Sequence, residues 1–107
     1  MSSSRIEIFK QILETDPENG NVLFGLAKEY EKAGLNKELI ETLTRYLSSS
    51  DDEGNAYGML ASAYEKSGDR IKAQEVYQRG IEAAVAHGHP SMAEEYRETL
   101  AREYETK

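Results

Sequence analysis

Residues 20–34 read GNVLFGLAKEYEKAG and residues 54–68 read GNAYGMLASAYEKSG. Gly20/Gly54, Asn21/Asn55, Leu26/Leu60, Ala27/Ala61, Tyr30/Tyr64, Glu31/Glu65, Lys32/Lys66 and Gly34/Gly68 are identical pairs, each separated by 34 positions. Self-similarity at a fixed period of this size is the signature of a stacked repeat, in which one supersecondary unit buries its apolar face on the next. The period thus sets the architecture before any single residue is interpreted.

Working outward, the apolar positions follow a helical spacing. Val22, Leu23, Leu26, Ala27 and Tyr30 form one stripe, and Leu39, Ile40, Leu43, Tyr46 and Leu47 form a second after Gly34. Ser48 to Asp52 is a polar break with capping chemistry. Ala56, Tyr57, Leu60, Ala61 and Tyr64 restart the pattern, and Gly68-Asp69 turns it, with Asp69 expected as an N-cap. Ile71, Ala73, Val76, Tyr77, Ile81, Ala84 and Val85 carry the next helix. Gly34 and Gly68 are expected just past helix ends, where a left-handed backbone closes the last turn.

Two flanking helices complete the reading. Ile6, Phe9, Ile12 and Leu13 make a stripe that stops at Thr15-Asp16-Pro17, because proline does not continue a helix. The His87-Gly88-His89-Pro90 break opens a last helix with Ala93, Tyr96, Leu100 and Tyr104 on one face and charges on the other. One apolar and one polar face suits a terminal cap. No segment shows strand alternation. The expectation is all-α, with helices over about 4–14, 21–33, 36–48, 54–67, 70–86 and 90–105.

These residues resemble the tetratricopeptide repeat family, whose first helix reads W-x2-L-G-x2-Y and whose second reads A-x3-F. Here Leu23-x2-Leu26-Ala27-x2-Tyr30 and Tyr57-x2-Leu60-Ala61-x2-Tyr64 stand for the first helix, and Leu39-x3-Leu43 and Ala73-x3-Tyr77 for the second. The family's closing proline is replaced by Asp51 and Val85, whereas Pro17 lies 34 positions before Asp51. The resemblance implies a single domain over 1–107: a degenerate half repeat at 5–17, full repeats at 20–53 and 54–87, and a capping helix at 90–105. It further implies a right-handed solenoid of helical hairpins, whose first helices line a concave groove that takes a peptide or helix of a partner protein. The chain looks like a short, free-standing bacterial member of the family.

Register places Asn21, Phe24, Gly25, Lys28, Glu31 and Lys32 of the first repeat on the groove side, and Asn55, Gly58, Met59, Ser62, Glu65 and Lys66 of the second. Some family members clamp a partner's terminal carboxylates with Lys, Asn and Arg at such positions. Phe24 stands in place of a lysine, and Gly25 and Met59 in place of asparagines, so that clamp is not carried over. The expected site is instead Asn21, Phe24, Gly25, Lys28, Asn55, Gly58, Met59 and Ser62, with Phe24 and Met59 as apolar contacts. A glycine in mid-helix costs about 1 kcal/mol against alanine. Gly25 and Gly58 therefore have a reason, either to admit a partner or to admit a neighbouring helix of the same chain. Gly80 poses the same question, with close helix packing the favoured answer.

Composition narrows the chemistry. The chain has no Cys, which excludes disulfides and thiolate metal sites. A formal charge of −7 argues against nucleic acid, since phosphate recognition needs clustered Lys and Arg. The polar start Met1-Ser2-Ser3-Ser4 lacks the pattern of a secretory signal, and no apolar run approaches the ~20 residues a bilayer requires. A cytoplasmic protein without cofactor is expected. No nucleophile motif or phosphate loop is present, and Glu94-Glu95 and Asp51-Asp52 are adjacent acids rather than opposed ones in a dry cleft. His87 and His89 make an incomplete metal site, and a histidine at a helix C-terminus is accounted for by the helix dipole. A non-catalytic protein-binding module is the leading expectation. The second is a structural subunit, such as a homodimer, that self-associates through a terminal helix. The surface exposure of Tyr96, Leu100 and Tyr104 discriminates between them.

Overall fold

The computed structural model describes residues 2–105, with side chains from Arg5 onward. Among these residues there are six α-helices and no strand: α1 (Ser2–Thr15), α2 (Gly20–Ala33), α3 (Asn36–Ser49), α4 (Asn55–Lys66), α5 (Arg70–Ala86) and α6 (Pro90–Tyr104). Each lies within two residues of its expected span. They fall into two compact units, one of residues 1–51 and one of residues 52–107. In the first, α2 packs on both α1 and α3; in the second, α5 packs on both α4 and α6.

The helix ends follow from side-chain chemistry. The Asn19 side chain caps α2 by accepting from the Val22 amide at 3.1 Å. Asp69 caps α5 through the Lys72 amide, also at 3.1 Å, as its position after Gly68 predicts. Gly34 at φ 74° and Gly68 at φ 86° close α2 and α4 in the left-handed region that a Cβ disfavours. In both turns the next amide, of Leu35 or Asp69, bonds back to the Tyr30 or Tyr64 carbonyl.

The start of α4 differs from the expectation. Gly54 is not in the helix but ahead of it, at φ 136°, and makes no side-chain cap. Asp52 supplies the cap from two residues upstream, its Oδ2 accepting from the Gly54 and Ala56 amides at 2.8 and 3.0 Å. Gly54 is further enforced by space: a Cβ there would lie 2.5 Å from the Met92 sulfur and 3.5 Å from the Ala84 Cβ.

The first unit is centred on Leu13, Leu23, Leu26, Ala27, Tyr30, Leu39 and Leu43, all buried. The second is centred on Ala56, Leu60, Ala61, Ala63, Ala73, Val76, Tyr77, Ala84, Ala93 and Leu100. Ala27 and Ala61 are both fully buried, which is the role their repeat position assigns to a small residue. No helix among the described residues is long and apolar enough to cross a membrane.

Candidate functional site

The expected site residues separate into two groups when their surroundings are traced. On α2, Asn21 and Lys28 are exposed and Phe24 is half-buried. The Phe24 ring rests against Tyr46 of α3, centroids 5.3 Å apart and tilted by 43°, and the Lys28 ammonium stands 5.7 Å from its centroid. Lys28 sits four residues after Phe24, one helical turn along the same face, which brings the cation over the ring. The result is an aromatic shelf with a cation beside it and Asn21 one turn before. On α4, Asn55 is exposed while Met59 and Ser62 are half-buried.

The mid-helix glycines have a different environment. A Cβ at Gly25 would meet the Phe9 ring of α1, with Cζ at 3.2 Å and Cε2 at 3.3 Å. A Cβ at Gly58 would meet Tyr96 of α6, with its hydroxyl at 2.5 Å and ring carbons at 3.1 Å. Gly80 takes the other side of the same ring, 3.0 Å from Cε2, and abuts Tyr57 Cβ at 2.9 Å. The space before each glycine is thus filled by an aromatic side chain of its own unit.

Tyr96 belongs to a polar-aromatic cluster that the spacing of the chain did not reveal. Its hydroxyl donates to the Gly54 carbonyl at 2.8 Å. Its ring lies 5.7 Å from that of Tyr77, which in turn meets Tyr104 at 6.3 Å. The Tyr77 and Tyr104 hydroxyls donate to the two oxygens of Glu65, at 3.3 and 2.8 Å. Arg70 stacks over Tyr104 at 4.3 Å and donates to the Glu103 carbonyl. Burial, then the Glu65 carboxylate, pushes the Tyr77 phenol up to about 12. Tyr104 also rises to about 12, through desolvation and its hydrogen bond to Glu65, and burial raises Tyr96. These shifts keep the phenols as neutral donors. With Leu100 only 2% exposed and Ala93 fully buried, the apolar stripe of α6 is turned into its own unit.

Glu29 is a second feature absent from the sequence reading. It is 4% exposed, and its Oε2 accepts from Arg5 Nε of α1 at 2.9 Å, with Lys32 at 3.8 Å. Its Oε1 is buried without a hydrogen-bond partner. His89, which precedes Pro90 at the start of α6, contacts Glu53 at 2.7 Å. Among the described residues no group of three or more His, Asp or Glu is arranged to hold a metal. Surface depressions lie beside Lys10, Leu13, Glu14 and Arg45, and beside Gln78, Ile81, Arg97, Leu100 and Glu105. Neither sets two acids face to face in an apolar cleft.

The family profile of the tetratricopeptide repeat matches residues 54–84, from Gly54 through most of α5. Two solved structures of a protein named MamA share the helical arrangement. One is 21% identical, spans 94% of this chain and 86% of its own, and superposes with a TM-score of 0.52. The other is 22% identical, spans 95% and 85%, and also scores 0.52. The chain has a tetratricopeptide-repeat-like helical fold. No curated protein matches it significantly in sequence. As a repeat-like protein it has a fold whose general use is to bind other proteins. Its left-handed glycines at 34 and 68 and its buried alanines at 27 and 61 recur 34 residues apart, as a repeated helical hairpin requires.

Proposed function

We propose that the protein is a non-catalytic protein-binding module, one domain of two full repeats with a half repeat before and a cap after, and that the first helix of each repeat presents the contact residues. The observation that carries the reading is the Phe24 shelf: a large ring held half-exposed by Tyr46, with Lys28 beside it. A ring needed only for the core would be buried, as Leu23 and Leu26 already are. Asn21, Phe24 and Lys28 make the contact on α2, and Asn55, Met59 and Ser62 make it on α4. The partner is a peptide or helix with an apolar anchor, and a hydrogen-bonding backbone that the asparagines read. Burial of an anchor on such a ring contributes about 1.5–3 kcal/mol before the costs of association.

The covered face of α6 weighs against the alternative of self-association through that helix, since Leu100 is buried and Tyr96 and Tyr104 are engaged with Gly54 and Glu65. Affinity capture from the native host with the intact chain, a Phe24→Ala chain and a Met59→Glu chain tests the proposal. A protein retained by the intact chain and lost from both variants, with their melts nearly unchanged, supports it. Retention by both variants refutes the assignment of these faces.

A further inference from the structure

The seat of α1 on α2 has the chemistry of a recognition site already occupied. Gly25 and Glu29 are four apart on α2, and Arg5 and Phe9 are four apart on α1. Consequently each pair shares a helix face, and the two faces meet residue for residue. Phe9 fills the space before Gly25, Arg5 reaches Glu29, and the Arg5 guanidinium lies 5.3 Å from the Phe9 centroid. In the second unit the positions 34 residues on are Met59 and Ala63, and Ala63 is buried just as Glu29 is. Packing at that position is therefore served by a methyl group, and the carboxylate of Glu29 needs another reason.

The fit of α1 is incomplete in a specific way. A carboxylate offers two oxygens, and a guanidinium presented squarely binds both. Arg5 engages Oε2 through Nε, while Oε1 stays buried and unpartnered. A buried acceptor without a donor is costly, so an occupant that supplied a second N–H would bind better than α1 does. The helix also leaves apolar area uncovered: Ile8 is 53% and Ile12 38% exposed.

We propose that this seat receives an amphipathic helix of a partner protein carrying an arginine four residues before an aromatic residue, and that α1 is the resident competitor it displaces. The proposal rests on the reading of the chain as a protein-binding module, and it adds the kind of partner and a means of regulating access. The phenylalanine-sized ring enters the space at Gly25, the guanidinium spans both oxygens of Glu29, and α1 moves aside.

The test uses the full chain and a dye-labelled peptide with the sequence of residues 2–15, read by fluorescence anisotropy. A Phe9→Ala chain, whose own occupant is weakened, is expected to bind the peptide at least about tenfold more tightly than the intact chain, as the competent fraction rises. That gain disappears when the peptide carries Arg5→Ala or the chain also carries Glu29→Gln. An Arg5→Ala chain, altered at an exposed side chain, provides the same comparison should Phe9→Ala fail to fold. Equal affinity for folded intact and variant chains overturns the proposal, as does binding indifferent to the peptide's arginine. Dimers of the intact chain that dissociate on Arg5→Ala would assign the seat to a second copy and overturn displacement by a partner. Host capture reads the Phe24 and Met59 faces separately, so a negative peptide result removes the α1 seat without removing the module reading.

Discussion

Gly58→Ala sets two physical effects against each other. Replacing a mid-helix glycine by alanine gains about 1 kcal/mol of helix propensity where the new methyl is free. Here the methyl would lie 2.5 Å from the Tyr96 hydroxyl and 3.1 Å from two ring carbons. The ring has no easy retreat. Its hydroxyl is tied to the Gly54 carbonyl at 2.8 Å, and its other side already touches Gly80. Overpacking of this kind costs about 1–3 kcal/mol, and displacing the hydroxyl forfeits a hydrogen bond worth about 1 kcal/mol. The net expectation is destabilisation by about 1–3 kcal/mol in urea unfolding followed by circular dichroism. Tyr96→Phe removes the atom in closest contact, so the double variant should recover about 0.5 kcal/mol or more relative to additivity. A Gly58→Ala chain as stable as the parent, or more so, would refute the reasoning and show that the space before Gly58 is open.

Three further outcomes follow from the same contacts. Arg5→Ala should cost about 1–3 kcal/mol by stranding the buried Glu29 carboxylate, and adding Glu29→Ala, which copies the alanine at 63, should restore most of it in a double-mutant cycle. Tyr77 and Tyr104 ionise near 12 when folded against an ordinary 10.0, so the folded state holds its protons longer. Stability from this source is complete below pH 10.0 and declines as pH rises towards 12, which urea unfolding at stepped alkaline pH will show, and Glu65→Gln should bring both phenols down in a spectrophotometric titration. Gly34→Val and Gly68→Val should each lower the melting temperature, since a β-branched residue resists φ of 74° and 86°; unchanged melts would contradict the capping role.

The period of 34 made the helices, the two glycine turns and the Asp69 cap legible, because each is a local matter of spacing and backbone preference. The partners of the glycines were not. Phe9 and Gly25 are 16 positions apart and Tyr96 and Gly58 are 38 apart, and no local preference encodes such a meeting. The loop at 87–90 also shifts α6 out of the repeat, so the position of Tyr96 had no counterpart from which to infer its contacts. Glu29 and Glu65 were hidden by composition: in a chain with 20 acids, the buried one and the one holding two tyrosines look like solvated neighbours. Phe24 and Lys28 could be placed on one face from spacing alone, whereas the support from Tyr46 required the α2–α3 pairing.

Within each unit every helix packs on the next in the chain: α1 on α2, α2 on α3, α4 on α5, α5 on α6. Such neighbours are joined by turns as short as Gly34-Leu35, so little loop entropy is lost before a contact is made. Search is therefore brief, and refolding belongs to the microsecond-to-millisecond class of helical proteins rich in local contacts. On a ribosome the same property means that α1 to α3 hold all the partners of their own unit once Asp51 has emerged, while the residues after it are still being made.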